Sequence, residues 1–134
     1  VQDFDREKCN SFVRSTVWAL LGQIDGATVR RADLPTRLRE WFATLPRSVT
    51  LACDSLCDLD VLASAFGGPF PANVEPVHYD LRPLIDTSVF HHAVEQYHAR
   101  PGQPWHHALH DAHAHRAGWL AWMGASQKTE KIVR

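Results

Sequence analysis

Two segments of the sequence carry side chains whose types and spacing suit metal-assisted hydrolysis. They are residues 106–112 (HHALHDA) and residues 54–62 (DSLCDLDVL), the latter directly after a predicted strand. An aspartate at a strand-to-helix turn lies at the sheet edge where α/β folds bind ligands. Carboxylates there can hold Mg²⁺, which prefers oxygen ligands, and a nearby histidine can act as a general base on water.

The spacing within the first segment constrains where its histidine can lie. On one continuous helix, residues five apart are separated by about 140° around the axis, so His106 and Asp111 would not share a face. They can converge only if His106 lies before the helix or in its first turn. Pro104 favours that arrangement, because proline is common where a helix begins.

The two segments resemble motifs of a known family, the DEDDh 3′-5′ exonucleases, which include ribonuclease T and oligoribonuclease. Residues 106–112 look like the third motif, His-x-Ala-x-x-Asp-Ala. Residues 54–62 are similar to the second motif, Asn-x-x-Phe-Asp-x-x-x-Leu, with Asp54 in place of Asn and Cys57 in place of Phe. The opening segment and the order of elements most resemble a compact bacterial branch of 3′-5′ exoribonucleases. The resemblance covers residues 1–123 and leaves 124–134 as a polar C-terminal tail.

The resemblance implies a ribonuclease-H-like fold with a site for two Mg²⁺ (or Mn²⁺) ions. Carried over by position, Asp58 and Asp111 would be metal ligands and His106 the general base. The implied substrates are single-stranded nucleic-acid 3′ ends, with RNA favoured. We identify no counterpart of the family's first motif, Asp-x-Glu on the first strand, and residues 3–5 (DFD) are a weak substitute. We therefore expect the N-terminal strands to be missing and the 134-residue chain to be inactive or very weak.

Other interpretations of the same residues stay open. Asp54 or Asp60 could compete with Asp58 as the second-motif ligand. The domain could instead be catalytically inactive and bind nucleic acid or a protein partner. Eight of the nine histidines fall between residues 91 and 115, and His106 and His110 have an i,i+4 spacing. A histidine-rich protein that binds Zn²⁺ or Ni²⁺ is therefore a second alternative. A His110-Asp111 dyad of the HD phosphohydrolase type is less favoured, because no aspartate follows it.

Composition and hydrophobic periodicity indicate the elements that would position these residues. The 134 residues, with 14 basic and 15 acidic side chains, form a globular α/β chain with a small, partly parallel sheet. That charge balance excludes a strongly basic nucleic-acid binder. Three cysteines without a pairing pattern indicate reduced thiols in a cytoplasmic protein. The tryptophans at 105, 119 and 122 are more typical of core or homodimer contacts than of base-stacking platforms. We predict helices at 5–21, 34–45, 56–66, 87–99 and 106–122, and strands at 48–54 and 77–81.

Overall fold

The computed structural model describes residue 5 and residues 7–132, with side chains up to residue 127. The chain divides into two compact units. The first comprises residues 1–9 and 22–82, and the second comprises residues 10–21 and 83–134. Across the described residues, no helix combines the length and apolar character that a membrane span requires.

The first unit contains two helices and a short sheet. Helix α1 (Leu34–Ala43) has proline in its first turn, as predicted, and buries Phe42. Helix α2 (Leu56–Phe66) matches its predicted bounds. The Ser55 side chain accepts a hydrogen bond from the Cys57 amide at its start, and Gly67 ends it with a left-handed φ of 61°. The Phe42 and Phe66 rings meet edge to face at 5.3 Å and join the two helices.

The sheet of the first unit is parallel, as predicted, but its strands are shorter than predicted. Strand β1 (Ala52–Cys53) pairs with strand β2 (Tyr79–Asp80), and an isolated bridge joins Val49 to Val74. The carbonyl of residue 49 accepts a hydrogen bond from the amide of residue 75, and the carbonyl of residue 51 accepts one from the amide of residue 79. The residues between 75 and 79 interrupt the ladder, since they include a proline, which has no N–H to donate.

The second unit begins with a helical segment that starts later than predicted. The expected start at Asp5 is wrong, because residues 7–9 form a turn and a bend. Asp5 instead accepts a hydrogen bond from the Glu7 amide at 3.1 Å. At the start of the observed helical segment, the Asn10 side chain accepts a hydrogen bond from the Val13 amide at 2.9 Å. The segment continues as a π-helix over Val13–Val17 and a 3₁₀ turn over Trp18–Leu20.

Three further helices follow β2 along the chain. A short helix α3 (Arg82–Ile85), which the sequence did not predict, precedes α4 (Ser88–His98) and α5 (Ala108–Ile132). Helix α5 continues beyond its predicted end at residue 122, so residues 124–132 of the predicted tail are helical. Helices α4 and α5 pack closely. Ala114 is fully buried, and a Cβ added at Gly118 would lie 2.8 Å from the ring of Phe90.

The described chain is thus mixed α/β and mostly helical, with a two-stranded parallel sheet in the part that the structure covers. The ribonuclease-H-like fold stays a prediction.

Candidate active site

His106 lies before helix α5, which begins at Ala108 and not at the predicted residue 106. This is one of the two positions from which it could converge with Asp111. Its φ of 64° is left-handed, a conformation that costs a residue with a Cβ about 1–2 kcal/mol. The exposed imidazole meets the ring of Phe12 edge-on, with 5.0 Å between centroids. Such backbone strain in an ordered segment concentrates at functional sites. The side chain that the motif assigns as general base therefore belongs to a residue with a strained, left-handed backbone.

Asp111 lies in the first turn of α5. Its amide donates to the His107 carbonyl at 2.9 Å, which closes the first helical turn. A carboxylate near a helix N-terminus is stabilised by the positive end of the helix dipole. The side chain is 38% exposed, and its Oδ1 lies 3.5 Å from Nε2 of His98. Asp111 therefore has one oxygen near a buried partner while part of the carboxylate faces solvent.

His98 is a site residue that the sequence analysis did not single out. It is the last residue of α4, and its side chain is only 1% exposed. Nδ1 lies 3.0 Å from the Gln103 carbonyl oxygen, and because a carbonyl only accepts, Nδ1 carries the donated proton. The indole of Trp105 stacks on the ring at 3.8 Å and 22°. The only sequence signal was a histidine in a last helical turn, where such residues are favoured.

The other histidines of the segment form a packed cluster. Nδ1 of His110 lies 3.1 Å from the Tyr97 hydroxyl, and the His107 ring lies 4.7 Å from the His110 ring. Partial burial lowers the pKa of His110, and the neighbouring imidazoles of His107 and His113 lower it further. A low pKa favours the neutral ring, which can accept a hydrogen bond from the tyrosine.

The zinc alternative gains no support from this cluster. His106 lies off the helix, so the i,i+4 pairing expected of His106 and His110 on one helix is wrong. Within the part of the chain that the structure describes, no group of three or more His, Cys, Asp or Glu side chains is arranged to hold a metal ion.

Asp58 belongs to the first unit, where several polar groups follow the parallel strands. It is exposed in the first turn of α2. Burial raises the pKa of the Cys53 thiol at the end of β1, and the negative charge of Asp58 raises it further. At the end of β2, Arg82 binds both oxygens of Asp80 at 2.8–3.1 Å and lowers the pKa of that carboxyl to about 2. Acidic side chains therefore lie at or just after the carboxyl ends of both strands, and a metal site at this edge stays a prediction.

The structure thus places the three predicted site residues in two units. His106 and Asp111 belong to one segment of the second unit, and Asp58 belongs to the first. The convergence of all three on one metal site stays a prediction. The prediction that the chain lacks the Asp-x-Glu motif overlooked Asp5 and Glu7, which have that spacing. Glu7 lies in a turn and not in a strand.

Comparison with known proteins adds no family to these observations. No family model, curated protein or solved structure matches the chain. The resemblance to the exonucleases therefore rests on the two motifs and on the local geometry described above.

Proposed function

We propose that this chain is a metal-dependent 3′-5′ exonuclease that hydrolyses phosphodiester bonds at single-stranded nucleic-acid 3′ ends, with RNA as the favoured substrate. One observation carries the proposal. The motif segment holds an exposed imidazole, His106, just before α5, and a half-exposed carboxylate, Asp111, in the first turn of that helix. This is the placement that a general base and a metal ligand need if both are to act from one segment.

The support for the expected ions is the type of donor atom, since no group of three such side chains is gathered among the described residues. Asp111 and Asp58 offer carboxylate oxygens at or near the protein surface, and hard ions such as Mg²⁺ and Mn²⁺ prefer oxygen. Such ions, when bound, would stabilise the charge on the attacking and leaving oxygens of the phosphodiester. Asp58 and Asp111 would hold them there. His106 would take the proton from the attacking water at its free ring nitrogen.

The test is a nuclease assay on single-stranded RNA and DNA whose label lies at the 5′ end, so that shortening from the 3′ end gives a ladder. It compares the 134-residue chain with a version extended upstream by its natural coding sequence, in Mg²⁺, in Mn²⁺ and in EDTA. We expect a metal-dependent ladder from the extended protein and little or none from the shorter chain. Cleavage that does not start at the 3′ end, or that persists in EDTA, would overturn the proposal.

The second candidate is an exonuclease-like domain that binds nucleic acid or a protein partner without cleaving. The turn conformation at Glu7 favours it, because the only described Asp-x-Glu spacing among the first nine residues is not presented by a strand. Gel-shift measurements on the same oligonucleotides separate the two. Binding without any ladder, from the extended protein as well, supports the inactive domain.

A further inference from the structure

We propose that Phe12 is a positioning residue for His106, holding the imidazole in one orientation just before helix α5. The inference rests on the proposed function, because it assigns a partner to the general base of that reaction. Phe12 belongs to neither motif, and it lies in the same compact unit as His106. The contact between the two side chains involves no metal ligand.

The two rings meet edge to face. Their centroids lie 5.0 Å apart and their planes are inclined at 87°, an arrangement that aromatic pairs favour over a parallel sandwich. Among the described residues, no hydrogen bond or ion pair holds the exposed imidazole. An exposed side chain exchanges freely between staggered rotamers, and another χ1 rotamer of His106 would carry its ring away from Phe12. The contact therefore favours one orientation of the ring.

Phe12 itself is held at the start of a hydrogen-bonded helical segment. The Asn10 side chain accepts a hydrogen bond from the Val13 amide at 2.9 Å. The Asn10 carbonyl accepts one from the Arg14 amide at 3.1 Å. Both bonds close turns that include Phe12, so its backbone is fixed by its neighbours and its ring offers His106 a partner of defined position.

The backbone of His106 restricts the same side chain from its other end. A left-handed φ of 64° sets the direction in which the Cα–Cβ bond leaves the chain, and the contact with Phe12 sets the direction of the ring beyond it. A general base must bring its nitrogen within hydrogen-bond reach of the attacking water, and small displacements of such a group lower the rate steeply. An imidazole restrained at both ends meets that requirement better than a free one.

Phe12 is exposed enough to be replaced with little effect on the core. It is 49% exposed, whereas the core phenylalanines Phe42, Phe66 and Phe90 are 1–2% exposed. Since stabilisation by burial scales with the apolar area removed from water, loss of the Phe12 ring should disturb the fold less than loss of a core ring. Its effect on His106 can therefore be measured in a folded protein.

The experiment is a double-mutant cycle in the extended protein, measured as kcat and KM on 5′-labelled single-stranded RNA in Mg²⁺. The variants are Phe12→Leu, which removes the ring but stays apolar, Phe12→Tyr, which restores a ring, His106→Ala, and Phe12→Leu combined with His106→Ala. Leu21→Ala is the matched control, because Leu21 is an exposed apolar residue (54%) at the other end of the same helical segment. In the 134-residue chain without metal, the ring-proton NMR shifts of His106 report the contact directly.

We expect Phe12→Leu to lower kcat about 2–10-fold with KM unchanged, the factor that corresponds to the interaction free energy of an aromatic pair. Phe12→Tyr should restore kcat, and Leu21→Ala should leave it unchanged. In the His106→Ala background, Phe12→Leu should have no further effect, because the ring that Phe12 orients is gone. The His106 ring-proton shifts should change in Phe12→Leu and not in Leu21→Ala. If Phe12→Leu does not fold, Phe12→Met, a second apolar variant without a ring, takes its place.

The role of Phe12 and the proposed function can fail separately. Loss of cleavage in His106→Ala with full kcat in Phe12→Leu would overturn the role of Phe12 alone. An equal fall in kcat from Phe12→Leu in both backgrounds would also overturn it, because Phe12 would then act on the fold and not through His106. Undiminished cleavage by His106→Ala would remove His106 from the mechanism, and absence of a ladder from the extended wild type would overturn the proposed function. The role of Phe12 falls with either result.

Discussion

The imidazole of His98 and the carboxylate of Asp111 face each other at 3.5 Å although they lie on different helices. The connection between α4 and α5 supplies the supports for this contact. It provides the carbonyl of Gln103 that anchors one ring nitrogen and the indole of Trp105 that covers one face. The connection therefore does more than reverse the chain, since it positions the residues around the first turn of α5.

The first prediction concerns the general base. His106→Ala in the extended, active protein should lower kcat about 10²–10⁴-fold, the usual contribution of proton transfer by a positioned side chain. The exposed ring contributes little to the core, so the thermal unfolding midpoint without metal should stay close to that of the wild type. His92→Ala, an exposed histidine on α4, serves as the control. Undiminished cleavage by His106→Ala would remove this residue from the mechanism.

The second prediction separates neighbouring carboxylates of α2. Asp58→Asn should lower the rate of cleavage by at least about 100-fold if Asp58 holds a metal that stabilises the transition state. Asp60→Asn changes an exposed carboxylate of the same helix and should keep nearly full activity. Rates of the extended protein at saturating Mg²⁺ measure both. The reverse order would assign the ligand to Asp60.

The third prediction concerns the acid side of the stability curve. The pKa of Asp80 is lowered to about 2 in the folded chain by Arg82, against an ordinary value of 3.8. A depressed pKa contributes stability above the unfolded value, and that contribution is lost as the pH falls from about 4 towards about 2. In Arg82→Gln, the carboxyl ¹³C titration of Asp80 should move up towards 3.8.

The control for this titration is Arg37→Gln, which removes an exposed arginine paired with Glu40. It should leave the Asp80 titration unchanged. An Asp80 pKa that stays near 2 in Arg82→Gln would show that another group holds the carboxylate.

The fourth prediction compares two glycines of α5. An added methyl at Gly118 would meet the Phe90 ring at 2.8 Å, so Gly118→Ala should lower the free energy of unfolding by about 1–3 kcal/mol through overpacking. Gly124 has no neighbouring atom within 4 Å of the same position. Gly124→Ala should therefore raise the free energy of unfolding by up to about 1 kcal/mol through helix propensity. Urea unfolding curves measure both, and equal effects would contradict the packing of α4 on α5.

Elements with clear cap residues at their ends were predicted correctly. The bounds of α2 follow from a serine cap before the helix and a glycine after it, so residues 56–66 were assigned correctly. The first helix was predicted to start at Asp5 because an aspartate before an apolar face is typical of a helix cap. The structure uses the Asn10 side chain instead, which the prediction did not consider. The strands were shortened by the interrupted ladder near residue 76, which depends on register and not on strand propensity.

In the candidate site, too, only the features that depend on local sequence could be predicted. The spacing set a condition, that His106 lies before α5 or in its first turn if it is to converge with Asp111. The predicted start of the helix at residue 106 was two residues too early. The contact of His98 with Asp111 could not be predicted, because it depends on how α4 and α5 pack. In a histidine-rich segment, the sequence does not distinguish a buried histidine from an exposed one.

The left-handed backbone of His106 limits which residues this position accepts without strain. A chain shaped by folding alone would place glycine or asparagine there, since these residues adopt φ near 64° at little cost. His106→Gly would thus relieve local strain while deleting the imidazole. Stability would therefore favour a different side chain at this position from the histidine that the proposed chemistry needs.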